Sequence, residues 1–262
     1  MDRWNMVFET AVVSHTGCVR AHNEDNYLSR PGSGLWVVSD GMGGHEAGRF
    51  ASATVVEELG HVNDASAARD LLAECRRGLE RANTALRVHA AARGVDMVGA
   101  TVVALLVHHN AYACIWSGDS RAYRVRGGRI DQLTRDHSEV EELVGQGLLT
   151  REEARTWPRR NVVTRAIGAA REAELEIVDG KVEPGDTFVL CSDGLTTHVE
   201  DARIADLAGG REPQAAADAL LALALERGGR DNVTVIVVRC VPREPTVSDL
   251  RRKPAPTWTE GP

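Results

Sequence analysis

At 262 residues, 43% of them hydrophobic, the chain is long enough to bury a sizeable core in one large domain or two small ones. A formal net charge of −7 argues against nucleic-acid binding as its main task. Cys18, Cys75, Cys114, Cys191 and Cys240 are widely spaced and lack a Cys-x-x-Cys pair, which fits free, mostly buried thiols in a reducing cytosol.

Met1 to Asn5 shows no signal-peptide pattern, and no apolar run approaches the ~20 residues that cross a bilayer. A cytoplasmic protein is expected. Phe8 to Ser14 predicts a first strand, followed by a polar stretch, Thr16 to Asn26, with one Arg and two adjacent acids. Tyr27 to Ser29, a Pro-Gly-Ser-Gly turn and the apolar run Leu35 to Val38 predict a hairpin. Helical periodicity then runs from Glu46 to Leu59 and from Ser66 to Ala92, and the apolar stripes of both helices read as core packing. Strands are expected at 99–107, 111–117, 121–126 and 129–133. The turn residues Asn110, Gly127 and Gly128 suggest that these strands form one antiparallel meander.

The polar, Arg-rich segment from about 136 to 168 reads as a flap over one end of the sheet. It carries helices at 139–145 and near 149–154, the second capped by Thr150. Strands follow at 175–181 and 187–191, a helix at 214–227 and a last strand at 233–240. From 242 to 262 the chain is rich in proline and poor in apolar residues, so a disordered tail is expected behind a single domain, 1–241. Antiparallel strands with grouped helices give an α+β layered sandwich.

One pattern recurs. The run Leu35 to Val38 leads into Ser39-Asp40-Gly41-Met42-Gly43-Gly44. The run Ala113 to Gly118 ends in Asp119, and Thr187 to Ser192 ends in Asp193. A fourth acid, Asp231, precedes the run Val233 to Val238. In an antiparallel pair the start of one strand lies beside its neighbour's end, so all four acids can share a rim. Four carboxylates on one rim repel each other unless cations or protons neutralise them. The acids have no Cys or His cluster with zinc spacing beside them. All-oxygen ligation selects Mg²⁺, Mn²⁺ or Ca²⁺. No Walker sequence, EF-hand loop or serine-hydrolase elbow is present. Two hard cations about 4 Å apart can activate a water and clamp a phosphoryl group for in-line attack. Arg20, four residues before Glu24, offers a planar fork for phosphate.

Together, Arg20-Ala21-His22-Asn23-Glu24-Asp25, Ser39 to Gly44, Ser117-Gly118-Asp119-Ser120-Arg121, Cys191-Ser192-Asp193-Gly194-Leu195 and Gly229-Arg230-Asp231-Asn232 resemble the bacterial metal-dependent Ser/Thr protein phosphatases of type 2C, over about residues 8 to 240. Thr134 to Ser138 and Asn161 to Gly168 look like that family's flap borders. The resemblance implies an αββα four-layer sandwich, with two mainly antiparallel sheets and metals at one edge. It implies Asp40 bridging two Mn²⁺ or Mg²⁺ ions, with the Gly41 carbonyl as a further ligand. Asp193 and Asp231 would complete one ion, and Glu24 and Asp25 would contact the second, partly through water. Asp119, with Asp193, would hold a third. Arg20 would bind the substrate phosphate. The implied function is hydrolysis of phosphoserine and phosphothreonine in proteins. The implied partners are Ser/Thr kinases and their substrates, and the implied state is a monomer away from membranes and nucleic acid.

The chain departs from the family pattern in places. The eukaryotic branch has a His where Met42 stands, and a thioether cannot protonate a leaving group. A water held by a cation and His45 are the two donors left open. Arg49, Glu139 and Thr197-His198 also differ from common family residues. A non-catalytic regulatory member should lack one or more of the metal acids, and this chain keeps them all. A phosphatase for small metabolites is the other alternative.

Overall fold

Strands apolar on every residue must be buried on both faces, and the fold places a layer on each side of them. The structure is a computed structural model and describes residues 6–63 and 67–243, apart from the side chain of His45. In chain order the elements are β1 (Met6–His15), β2 (Asp25–Arg30), β3 (Leu35–Met42), α1 (His45–Gly60), α2 (Ala68–Arg93), β4 (Gly99–Ala100), β5 (Val102–His108), β6 (Ala111–Ser117), β7 (Arg121–Arg126), β8 (Arg129–Gln132), α3 (Glu139–Gly145), α4 (Arg151–Thr156), β9 (Glu176–Lys181), β10 (Thr187–Cys191), α5 (Asp193–Thr196), α6 (Asp201–Ala208), α7 (Pro213–Glu226) and β11 (Val233–Pro242).

They form two antiparallel sheets. One has the order β1-β11-β10-β7-β8; the other runs β2-β3-β5-β6-β9, with β4 paired to the end of β3. Alternate residues of one strand feed different cores, as the two-residue period of a strand requires. On β5, Val103, Leu105 and Val107 point between the sheets, while Val102, Ala104 and Leu106 pack under α1 and α2. On β11, Ile236, Val238 and Cys240 face the middle layer, and Val233, Val235 and Val237 face α5 to α7. The result is the four-layer αββα sandwich. Trp36, fully buried, fills the seam with its ring edge against Phe8 and its indole N–H on Thr10 Oγ1.

Three expectations need correction. The strands from 99 to 133 are not one meander. β5 and β6 pair in one sheet, β7 and β8 in the other, and the chain changes sheets at Ser117 to Ser120. Each strand at the crossing finds a distant partner, β9 for β6 and β10 for β7. The strand expected to stop at Val38 runs on to Met42, because Gly41 and Met42 pair with Ala100 and Gly99. Two helices, α5 and α6, were not expected. The proline-rich tail was expected from 242, yet Pro242 pairs with Met6 at the end of β11; residues 244–262 lie outside the described residues. In the flap, Thr150 caps α4 as expected, with Glu153 reaching back to close a capping box.

Candidate metal centre

β3 delivers Asp40 and β2 delivers Asp25, and the two are register partners. From the other sheet, β10 ends at Cys191, so Asp193 opens α5 two residues later, and Asp231 sits two residues ahead of β11. Asp119 stands on the crossing between the sheets. Arg20, Glu24, Asp40, Gly41, Asp119, Asp193 and Asp231 line one cleft of about 370 Å³ at the rim where the two sheets meet. Asn161 and Val163 bring the flap to the same cleft. Asp25 is held just behind: its Oδ2 accepts a hydrogen bond from Ser192 Oγ at 2.8 Å, a link between the two sheets.

Several of these acids are strained electrostatically. Burial, then Asp193 and Asp231, push the Asp25 carboxyl up to about 7. Burial, then Asp231, push Asp193 up to about 6. Burial followed by neighbouring acids raises Asp40 and Asp119 well above the ordinary carboxylate value. Oδ1 of Asp25 and Oδ1 of Asp193 are buried without a hydrogen-bond partner. Buried acceptors of that kind are costly unless something binds them. Among the described residues, no three acids, histidines or cysteines close on one point as a finished cage. The arrangement is an open ring of repelling oxygen donors, and this donor set fits hard divalent cations.

Backbone shape contributes too. Gly41 is packed so tightly on α1 that a Cβ there would strike the Gly48 carbonyl, and a Cβ on Gly48 would strike the Glu24 carboxylate. Both positions require the smallest residue, which is how β2, β3 and α1 come close enough to share one centre.

Arg20 reaches the cleft from its exposed loop and donates to Asp231 Oδ2 at 2.6 Å. It therefore pairs with one of the acids of the centre. The side chain of His45 lies outside the described set.

A sequence model of the family described as protein phosphatase 2C matches residues 19–223. The chain belongs to that family. It is 37% identical over 242 residues to the serine/threonine protein phosphatase PstP of Mycobacterium tuberculosis, covering 92% of this chain and 46% of that protein. The chain thus spans about half the length of this curated relative. Among solved structures, PppA, described as a key regulatory component of T6SS in Pseudomonas aeruginosa, is 42% identical with a TM-score of 0.84, covering 89% of this chain and 98% of that one. The catalytic domain of PstP in complex with two manganese ions is 35% identical, with a TM-score of 0.82 over 90% of this chain and 99% of that one.

The phosphatase 2C match stops at residue 223, so Asp231 is joined to the site by its position in the cleft. Several polar residues that hold this phosphatase 2C centre together carried no assigned role in the sequence. Asn232, 5% exposed, accepts from the Glu24 N–H and donates to the carbonyls of Thr16 and His22. Thr101 donates its N–H to the Asp40 carbonyl and accepts the Asp40 N–H on Oγ1. His137 is buried against Trp116; its Nδ1 accepts from the Gly118 N–H while its own N–H donates to the Gly118 carbonyl. That double clamp fixes the turn carrying Asp119. The motif Gly229 to Asn232 and the flap border Thr134 to Ser138 were the available signals. Replacing Asn232 with Ala strands three backbone groups of the Thr16–Glu24 loop. It is expected to cost on the order of 3 kcal/mol of stability, measured by denaturant unfolding.

Proposed function

We propose that the chain is a metal-dependent phosphatase of phosphoserine and phosphothreonine in proteins. The observation that supports this best is the gathering of strand-end acids from both sheets, with Arg20, around one cleft. Asp40, Asp193 and Asp231 would hold one ion, Mn²⁺ or Mg²⁺, with the Gly41 carbonyl as a further ligand of the centre. Asp40, with Glu24 and Asp25, would hold a second, and Asp119 with Asp193 a third. When bound, such ions supply Lewis acidity to the phosphoryl group and a nucleophilic water at neutral pH.

The residues of the chain do the positioning. Asn232 and Thr101 fix the backbone at Glu24 and Asp40, so the carboxylates face the cleft without reorganising. Asp25 and Ser192 lock the sheets in register across the seam. Were Asp231 engaged as a ligand, Arg20 would be free of its partner, and its guanidinium fork could grip two phosphate oxygens. Asn161 and Val163 of the flap line the same cleft, so a peptide carrying a phosphorylated side chain would meet the flap there. We place the protein in the cytoplasm, as a monomer reversing Ser/Thr kinases. No described helix is long and apolar enough to cross a membrane.

The deciding assay is turnover of a phosphothreonine peptide, with a sugar phosphate in parallel, in Mn²⁺ and in chelator. Peptide turnover that chelator abolishes supports the proposal. Turnover of the sugar phosphate alone would assign a metabolite phosphatase. Arg20→Lys keeps the charge but loses the planar fork. It is expected to lower kcat/KM on the peptide by about tenfold, roughly 1.4 kcal/mol, with Mn²⁺ affinity nearly unchanged. Unaltered kcat/KM would return Arg20 to a simple partner of Asp231.

A further inference from the structure

The long helix α2 was expected to serve packing alone, and most of its buried face does. Asn83 is the exception. It is fully buried in that face, between Leu79, Ala82 and Leu86. A buried amide in such surroundings must find partners. Asn83 finds all of them on one segment: Oδ1 accepts from the Gly168 N–H at 2.6 Å, and Nδ2 donates to the carbonyls of Ala170 at 3.1 Å and Arg171 at 3.4 Å. Its neighbours on the same helical stripe, at i−3 and i+4, join in. Glu80 accepts from the Ala173 N–H, and Arg87 donates to the Arg171 carbonyl. Three polar side chains thus form a rail for the backbone of residues 168–173.

That segment is the exit leg of the flap. It turns at Gly168, whose φ is +96° and where a Cβ would strike the Val98 carbonyl. Just before the turn, Ile167 exchanges both backbone hydrogen bonds with Ala100, the residue preceding Thr101. Four to six residues earlier, Asn161 and Val163 line the cleft. Val163 is bridged to Ser138 at the flap's entry leg. The flap's exit is therefore fastened to α2 by side chains and to β4 by backbone. Neither α3 nor α4 has a buried residue, and residues 162–164 bond to the flap's entry leg, through the Glu139 N–H on the Val162 carbonyl and the Thr164 N–H on the His137 carbonyl.

We infer that Asn83 is a positioning residue for substrate: through the rail it sets where Asn161 and Val163 stand over the cleft, and so how a phosphopeptide is received. The inference rests on the phosphatase reading for its substrate and on geometry alone for its mechanics. A small aryl phosphate fits within the cleft and has no flanking chain to meet the flap, so the two substrates respond differently.

The test uses the full chain with Mn²⁺. Asn83→Ala is expected to raise KM for a phosphothreonine peptide by about tenfold. On p-nitrophenyl phosphate, kcat/KM should stay within about twofold, as should Mn²⁺ affinity. Amide hydrogen exchange across residues 161–168 should accelerate by about tenfold or more relative to the sheets. Because Asn83→Ala opens the core, Glu80→Ala with Arg87→Ala removes the exposed parts of the rail, and a smaller change of the same pattern is expected. Unchanged peptide KM and unchanged exchange in a folded Asn83→Ala protein would overturn the inference. So would equal losses on both substrates accompanied by weaker Mn²⁺ binding. If the wild-type chain turns over neither substrate, the phosphatase reading fails, while the exchange measurement still decides the rail.

Discussion

Asp193→Asn is expected to abolish turnover of a phosphothreonine peptide, by several orders of magnitude, while raising the melting temperature of the cation-free protein at mildly alkaline pH. The two effects have one cause. Asp193 is half-buried, its buried Oδ1 has no partner, and Asp231 repels it. The uncharged amide removes that repulsion when no cation is present. It also removes a ligand that the proposed chemistry needs, because a divalent ion binds a carboxylate far better than an amide. A carboxylate whose charge destabilises the cation-free fold, set in a cleft beside other acids, points to a functional site. Asp231→Asn should lose turnover to the same degree without the gain in stability, since Asp231 already has Arg20 as a partner. Near-normal turnover in either folded variant would rule out the proposed cation centre.

The second large effect is on pH. In chelator, the wild-type protein is expected to lose stability as pH rises from about 4 to about 7. Asp25 stands at about 7 when folded against 3.8 when free. Between those values the folded state holds a proton that the unfolded state has released, so raising the pH favours unfolding. Each pKa unit is about 1.4 kcal/mol, which makes Asp25 alone worth on the order of 4 kcal/mol, or a melting temperature lower by on the order of 10 °C. Asp193 adds in the same direction. Saturating Mn²⁺ should flatten the profile, because an ion that binds only the folded state replaces the proton. Melting scans at several pH values, with and without Mn²⁺, check this. A melting temperature independent of pH in chelator would mean that the carboxylates are solvated and far apart.

The acids were legible in the sequence because each abuts an apolar run. Val38, Gly118, Ser192 and Val233 mark where strands meet the rim, and antiparallel geometry does the rest. The two helices beside β2 and β3 were legible from their period. The crossing at Ser117 to Ser120 was not, because a hairpin and a change of sheet both use a short turn with glycine. What separates them is the partner strand, and β9 and β10 lie more than fifty residues downstream. α5 was missed because it is four residues long and begins on the motif acid itself. α6 was missed because Glu200 caps it without a side-chain bond. Asn83 and Thr101 were silent, and Asn232 was marked only by its motif, for another reason. Each is a single polar residue within or beside an apolar stretch, and partners of each lie more than sixty positions away. Only tertiary packing shows what such a residue is for.

β11, the last strand, lies in the interior of its sheet, between β1, the first, and β10. Translation runs from the first to the last, so β1 leaves the ribosome more than two hundred residues before β11, its one sheet partner among the described residues, exists. Until then its sheet is split at that seam, the middle layer is open on one side, and the acid at 231 has not been made. Such long-range closure is slow and leaves a nascent chain exposed. It also means that no fragment released early can assemble the cleft. The proposed phosphatase would thus remain inert until the ribosome has finished the whole domain.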